Sequence, residues 1–271
     1  NYPNAMALSY MKRHNIANPD VTRKAMGMLD RGYGKLTSFE CNKRGYEWFG
    51  HDPGHEALSA FGLMQFTDMQ KLMVVDSEMM VRTRAWLMNR RDGKGGFQRN
   101  PRHLHVWSVE QAIINAYVLW AITEADVAAG QPMRATSELA AELTELNRVA
   151  RGSDDPYLVA LSAATLLNVR RTDDGLFLLS QLAAMQQPDG HLEGQTTVTS
   201  SGGQSLKMET TAIAALAFVK SPRDVPCAQR AAAWIKENRQ GNAGFGSTQA
   251  TVLALKALIA VAAESTAVLG G

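Results

Sequence analysis

Residues 84–98 read RAWLMNRRDGKGGFQ and residues 232–246 read AAWIKENRQGNAGFG. Laid over each other without a gap, Ala85 meets Ala233, Trp86 meets Trp234, Arg91 meets Arg239, Gly93 meets Gly241, Gly96 meets Gly244 and Phe97 meets Phe245. A weaker copy lies between them, with Gln187-Pro188-Asp189-Gly190-His191-Leu192 in place of the Gly-Phe turn. Such a repeat decides architecture before any single element does, because each copy is a unit that buries its apolar face only against its neighbours.

Working outward, each turn leads, directly or after a loop, into a stretch of small and apolar residues at 107–124, 208–219 and 248–262. Two more stretches of this character, 55–66 and 156–169, follow their own loops, and 4–14 makes a sixth. Between them fall five amphipathic stretches with a charged face: 20–31, 76–89, 137–151, 173–186 and 226–238. Ala, Leu and Met dominate throughout, while Pro and Gly sit between the periodic segments, so all of these read as helices. A helix that is apolar nearly all round must be buried, and one with a charged face lies outside. Inner and outer helices in alternation predict an all-α fold, an α/α toroid formed as one domain over residues 1–271. One outer helix is missing from the count, and a segment upstream of Asn1 or beyond Gly271 is expected to supply it.

Composition narrows the function classes. The chain has 271 residues, a formal net charge of +2, 45% hydrophobic and 20% charged residues. So small an excess of charge makes no basic stripe, and nucleic acid is not an expected partner. No apolar run approaches the ~20 residues of a membrane span. The chain opens on Asn1 without a signal peptide or an initiator Met, which fits an excised fragment. Cys41 and Cys227 form neither a CxxC motif nor a disulfide framework. Two buried free thiols and a single bridge are the two readings left open.

With the helices placed, several segments resemble one family in order. Gly244-Phe245-Gly246-Ser247-Thr248-Gln249, followed by Ala250 to Leu255, looks like the Gly-Gly-Phe-Ser-Ser-Thr-Gln helix start of the alpha-2-macroglobulin thioester domain. Asp155-Pro156-Tyr157 and Glu209-Thr210-Thr211 resemble the starts of two other inner helices, Trp48-Phe49-Gly50 and His55 to Leu63 are similar to the loop and helix that follow the first hairpin, and Val109-Glu110-Gln111 followed by Ala116-Tyr117 is similar to the next one. One departure stands out. The family's reactive Cys-x-Glu-Gln motif is absent, and Cys41 is followed by Asn42-Lys43 instead. Tyr2-Pro3-Asn4 is similar to the stretch just downstream of that motif. The chain is therefore expected either to begin just after the motif or to belong to a member that has lost it.

The resemblance implies an internal Cys-Gln thioester upstream of this chain, a thiolate leaving group, and one-shot acyl transfer to an amine or hydroxyl. Single use is not turnover, so no enzyme and no cofactor are implied. The implied partners are other domains of the same parent, and target proteases or surface amines and hydroxyls, in an extracellular or periplasmic setting. In complement relatives a His just ahead of the next inner helix assists transfer to hydroxyls. Counting from Phe97, that position falls on His105, with His103 as the alternate. An imidazole near pKa ~6.5 suits the task, and two solvated loop histidines beside Arg102 are the plain alternative.

Other candidates read as structural. His51 and His55 have helical metal spacing, but Pro53 and Gly54 break the helix between them, so capping and loop packing are expected, with Asp52 as N-cap. Tyr46, Trp48 and Phe49 are expected to pack the loop, with shielding of the thioester a second reading. Two rivals remain: a thioester-less toroidal binding module, and an enzyme of the prenyltransferase or terpene-cyclase kind. The latter needs an Asp-Cys-His zinc triad or an Asp-x-Asp-Asp acid, and Asp154-Asp155 and Asp173-Asp174 are only pairs.

Overall fold

A computed structural model of the chain describes residues 2–13, 16, 18–100, 109–240 and 244–269. Helix accounts for 68% of the described residues, against about 30–35% in an average globular protein. Among the described residues the only β pairing is three isolated bridges. The chain divides into two compact units, Asn1–Leu104 and His105–Gly271.

The first unit holds α1 (Tyr2–Arg13), α2 (Pro19–Thr37), α3 (Glu56–Met69) and α4 (Ser77–Asn89). Local chemistry sets their starts. Asn18 accepts the backbone N–H groups of Asp20 and Val21, with Pro19 at the first helical position, and Asp76 accepts those of Glu78 and Met79. α3 is buried on most of its surface and packs on α1 and α4, while α2 lies against α1.

The second unit runs α5 (Gln111–Ala128), α6 (Arg134–Glu138), α7 (Ala140–Arg151), α8 (Pro156–Asn168), α9 (Thr172–Met185) and α10 (Gly203–Phe218). A 3-10 turn at Pro222–Asp224 then leads into α11 (Val225–Glu237) and α12 (Thr248–Leu269). α5 packs on α8, α8 on α10, and α10 on α12. In α8 every residue but Leu167 is buried. α7 buries only a stripe of Glu142, Leu143, Leu146 and Ala150, the signature of an outer helix. The alternation that defines an α/α toroid thus runs through both units.

Two expected helices differ in detail. The stretch 137–151 is interrupted at Leu139, whose side chain is fully buried and whose φ of −121° leaves the helical region. α10 begins at Gly203, before the apolar stretch, because its first turn is polar and half-exposed.

The repeat proves to be a repeated loop closure. The N–H of Asp92 donates to the carbonyl of Gly96, and that of Gln240 to Gly244, each at 3.0 Å. The weaker copy does the same from Gln187 to His191 at 2.8 Å, and a fourth loop, from Cys41 to Gly45 at 2.9 Å, joins them. The next residue in each loop, Phe97, Phe245, Leu192 or Tyr46, is buried. In three loops its N–H donates to a hydroxyl of the following inner helix: Tyr46 to Ser59 Oγ, Leu192 to Thr211 Oγ1 and Phe245 to Thr251 Oγ1. These three loops thereby fasten the end of an outer helix to the inner helix that follows it. Two of the loops also touch the next copy. A Cβ on Gly45 would lie 2.7 Å from the Trp86 ring, and His191 stacks on Trp234, the matching residue, at 5.3 Å.

Candidate functional site

The segment that leads to the candidate histidines is anchored by a buried carboxylate. Glu56, 1% exposed, occupies the first turn of α3, where the helix N-terminus favours negative charge. Its Oε1 accepts from Arg90 Nε at 2.8 Å and lies 2.7 Å from Nη2, at the end of α4. Its Oε2 accepts the N–H of Asn100 at 3.0 Å. The Asn100 side chain donates in turn to the carbonyls of Pro53 and Gly54 at 3.0 and 2.9 Å. Asn100 is therefore tied to α3, and through Glu56 to α4. His103 and His105, a few residues further on, lie outside the described residues.

The loop at 41–55 corrects several expectations. The N-cap of α3 is His55, whose Nδ1 accepts from Leu58 N–H. Asp52 does not cap; its Oδ1 accepts the Lys43 N–H at 2.9 Å, just before a cis Asp52–Pro53 bond. Tyr46 is buried as expected, whereas Trp48 and Phe49 are 49% and 67% exposed. Glu47 explains why they point outward: it accepts the Phe49 N–H at 2.9 Å and holds the bend. His51 is exposed, and its carbonyl accepts from the Cys41 thiol. Among the described residues no group of three or more His, Cys, Asp or Glu is placed to hold a metal ion.

Both cysteines are free thiols, and Cys227 is half-buried rather than buried. Burial, with the charges of Asp52, Glu47 and Glu40 added, pushes the Cys41 thiol up to about 11. At pH 8 only roughly one Cys41 in a thousand is then the nucleophilic thiolate. Iodoacetamide at that pH is expected to label Cys227 in the folded chain and Cys41 only after unfolding. Mass spectrometry of the two peptides checks this, and early labelling of Cys41 would show that the loop opens.

In the second unit the acidic residues at inner-helix starts serve loops. Asp155 caps α8 through the Tyr157 N–H at 3.0 Å and accepts the Gln195 N–H at 3.1 Å. Asp154 accepts from Gln195 Nε2. Glu209, fully buried in α10, accepts from Ser201, Thr199 and Ser247. Nearby, Gln249 donates to the Tyr117 hydroxyl at 3.2 Å. In the sequence Glu209-Thr210-Thr211 reads only as a helix start. A lone carboxylate entering an otherwise apolar helix was the available signal for a buried polar cluster.

A match to the family described as the A-macroglobulin TED domain extends over residues 1–260 and spans both units. Ovostatin of Gallus gallus is 26% identical over 282 aligned positions, covering 97% of this chain. Complement C3 of Lethenteron camtschaticum is 24% identical over 273 positions, covering 87%. The chain spans only 19% and 15% of the length of these two relatives.

Proposed function

We propose, from the premise that this chain belongs to the A-macroglobulin TED domain family, that it is the single helical thioester domain of a larger multidomain protein. The match over residues 1–260 carries the reading. In it, residues 1–271 are the platform for an internal Cys-Gln thioester supplied upstream, which is spent once in covalent capture of a protease or a surface. His105 assists acyl transfer to hydroxyls, with His103 as the alternate. The exposed Trp48 and Phe49 suit a shielding role against water better than the loop-packing role expected from sequence. Burying a reactive acyl group away from water is what keeps it from hydrolysis before use. The setting is extracellular or periplasmic, and the partners are other domains of the same polypeptide and the captured target.

The test is amine uptake. The 271-residue chain contains no Cys-x-Glu-Gln, so it is expected to incorporate no methylamine and to release no thiol. The intact parent is expected to do both in equal amounts, since each amide formed frees one thiol. A parent that takes up no amine would sink the thioester reading in favour of a passive binding module. Uptake by the short chain would show that the reactive site has been misplaced.

A further inference from the structure

Glu209 is a buried acid that capture chemistry does not use. Its Oε1 lies 2.6 Å from Ser201 Oγ and 3.0 Å from Ser247 Oγ, and its Oε2 3.1 Å from Thr199 Oγ1, distances at which a neutral carboxyl donates its hydrogen to one hydroxyl and accepts from the others. Among the described residues, these hydrogen-bond partners are hydroxyls and not cations. The hydroxyls belong to two stretches of chain. Thr199 and Ser201 lie in the segment 194–202, which turns through Ser200 at φ 53°, a left-handed conformation costly for a side-chain-bearing residue. Ser247 starts α12, where its Oγ also accepts the Ala250 N–H at 3.0 Å. One carboxylate on α10 therefore ties a strained segment to the cap of a second inner helix.

We propose that residues 194–202 form a strap across the starts of α10 and α12, closed while Glu209 is neutral and loosened when it is charged. A protonated carboxyl has its own hydrogen to donate to the hydroxyl cluster. An ionised one demands that all three hydroxyls point inward, and no cation among its described hydrogen-bond partners offsets its lost hydration. Burial pushes the Glu209 carboxyl above its ordinary range, and the hydroxyls of Ser201, Ser247, Thr197 and Thr199 offset this only in part. Because the value in the closed state is raised, closure is complete below the ordinary carboxyl value and is lost as pH rises through the raised one.

The other groups around the strap are separable. Tyr117 on α5 and Tyr157 on α8 feel the Glu209 charge, and burial raises both phenols further from neutrality. Asp155, at the start of α8, is also raised by burial and holds Gln195 at the other end of the strap. At the strap's edge Glu193 pairs with Lys207 at 2.6 Å and His191 at 2.9 Å, and Lys207 holds it below the usual carboxylate range, with His191 adding to the effect.

Amide hydrogen exchange of the 271-residue chain at pH 5 and pH 8, corrected for intrinsic rates, tests the strap. Peptides covering 195–201 and 247–251 are expected to lose protection at pH 8, by about tenfold for each unit by which burial raises Glu209. Peptides from the middle of α8 should not change. Glu209→Gln should hold the strap at its pH 5 protection at both values. Asp155→Asn should keep the wild-type response. Ser201→Ala, which removes one donor to the charged form, should enlarge the loss at pH 8 and reads the same mechanism should Glu209→Gln not fold. Equal strap protection at both pH values in the wild type overturns the proposal. So does a response that survives Glu209→Gln, or one abolished by Asp155→Asn.

Discussion

Replacing His105 with alanine in the intact parent is expected to slow acyl transfer to glycerol and water by about 10²–10⁴ while transfer to methylamine persists. In the proposed sequence the imidazole attacks the thioester carbonyl, the C–S bond breaks, and the sulfur leaves as thiolate. The acyl-imidazolium so formed is then attacked by a hydroxyl oxygen. The thiolate takes the hydroxyl proton, an ester results, and neutral imidazole and free thiol are released. A weak hydroxyl nucleophile needs both the better acyl donor and the nearby base, whereas an amine attacks the thioester unaided. His103→Ala should leave the preference nearly unchanged. The readout is partitioning of the activated parent between labelled glycerol and labelled methylamine at fixed pH. Equal partitioning in wild type and His105→Ala would reduce His105 to a loop residue, and a shift with His103→Ala alone would move the role two residues upstream.

The second large effect concerns a glycine of the loop repeat. Gly190→Ala is expected to cost about 3 kcal/mol or more, the sum of a positive-φ penalty and an overlap that backbone must relieve. Gly190 has φ 100°, and a Cβ there would lie 2.3 Å from the Arg230 carbonyl oxygen and 2.6 Å from its carbonyl carbon. Neither atom belongs to a flexible side chain, so α11 itself would have to move. Gly93 offers the control. It has φ 74° with nothing within 4 Å of an added Cβ, and alanine there should cost only about 1 kcal/mol. Thermal unfolding followed by circular dichroism should show Gly190→Ala melting about 6–12 °C lower, well below Gly93→Ala. Equal shifts for the two would mean that α11 is not held against the loop.

The alternation of buried and amphipathic helices was legible in the sequence because it rests on composition over whole turns, which a few misplaced residues do not obscure. Boundaries were less so. Leu139 breaks its helix through tertiary burial of one side chain, and no propensity marks that position. The fourth loop, Cys41 to Gly45, shares its closing hydrogen bond and its plug residue with the others but little of their lettering. Arg44 stands there at φ 72° where two of the other copies carry Gly95 and Gly190. The anchoring role of Glu56 and Asn100 was also hidden, because the partners are 44 residues apart. Asp52 offered itself as a cap by residue type, and the cap went to His55 because the chain turns at Pro53 before the helix begins.

The contact of two of the loops with the tryptophan of the next copy has a consequence for how the chain comes apart. Gly45 against Trp86 and His191 against Trp234 are contacts between consecutive hairpins, one in each unit, so in these two pairs the first hairpin draws part of its stability from its immediate successor. Energetics of this nearest-neighbour kind behave like a zipper, in which melting spreads from whichever hairpin has lost its neighbour. Cutting the chain within one loop should therefore loosen the hairpins on either side first, leaving those further along folded at temperatures where the cut pair has already frayed.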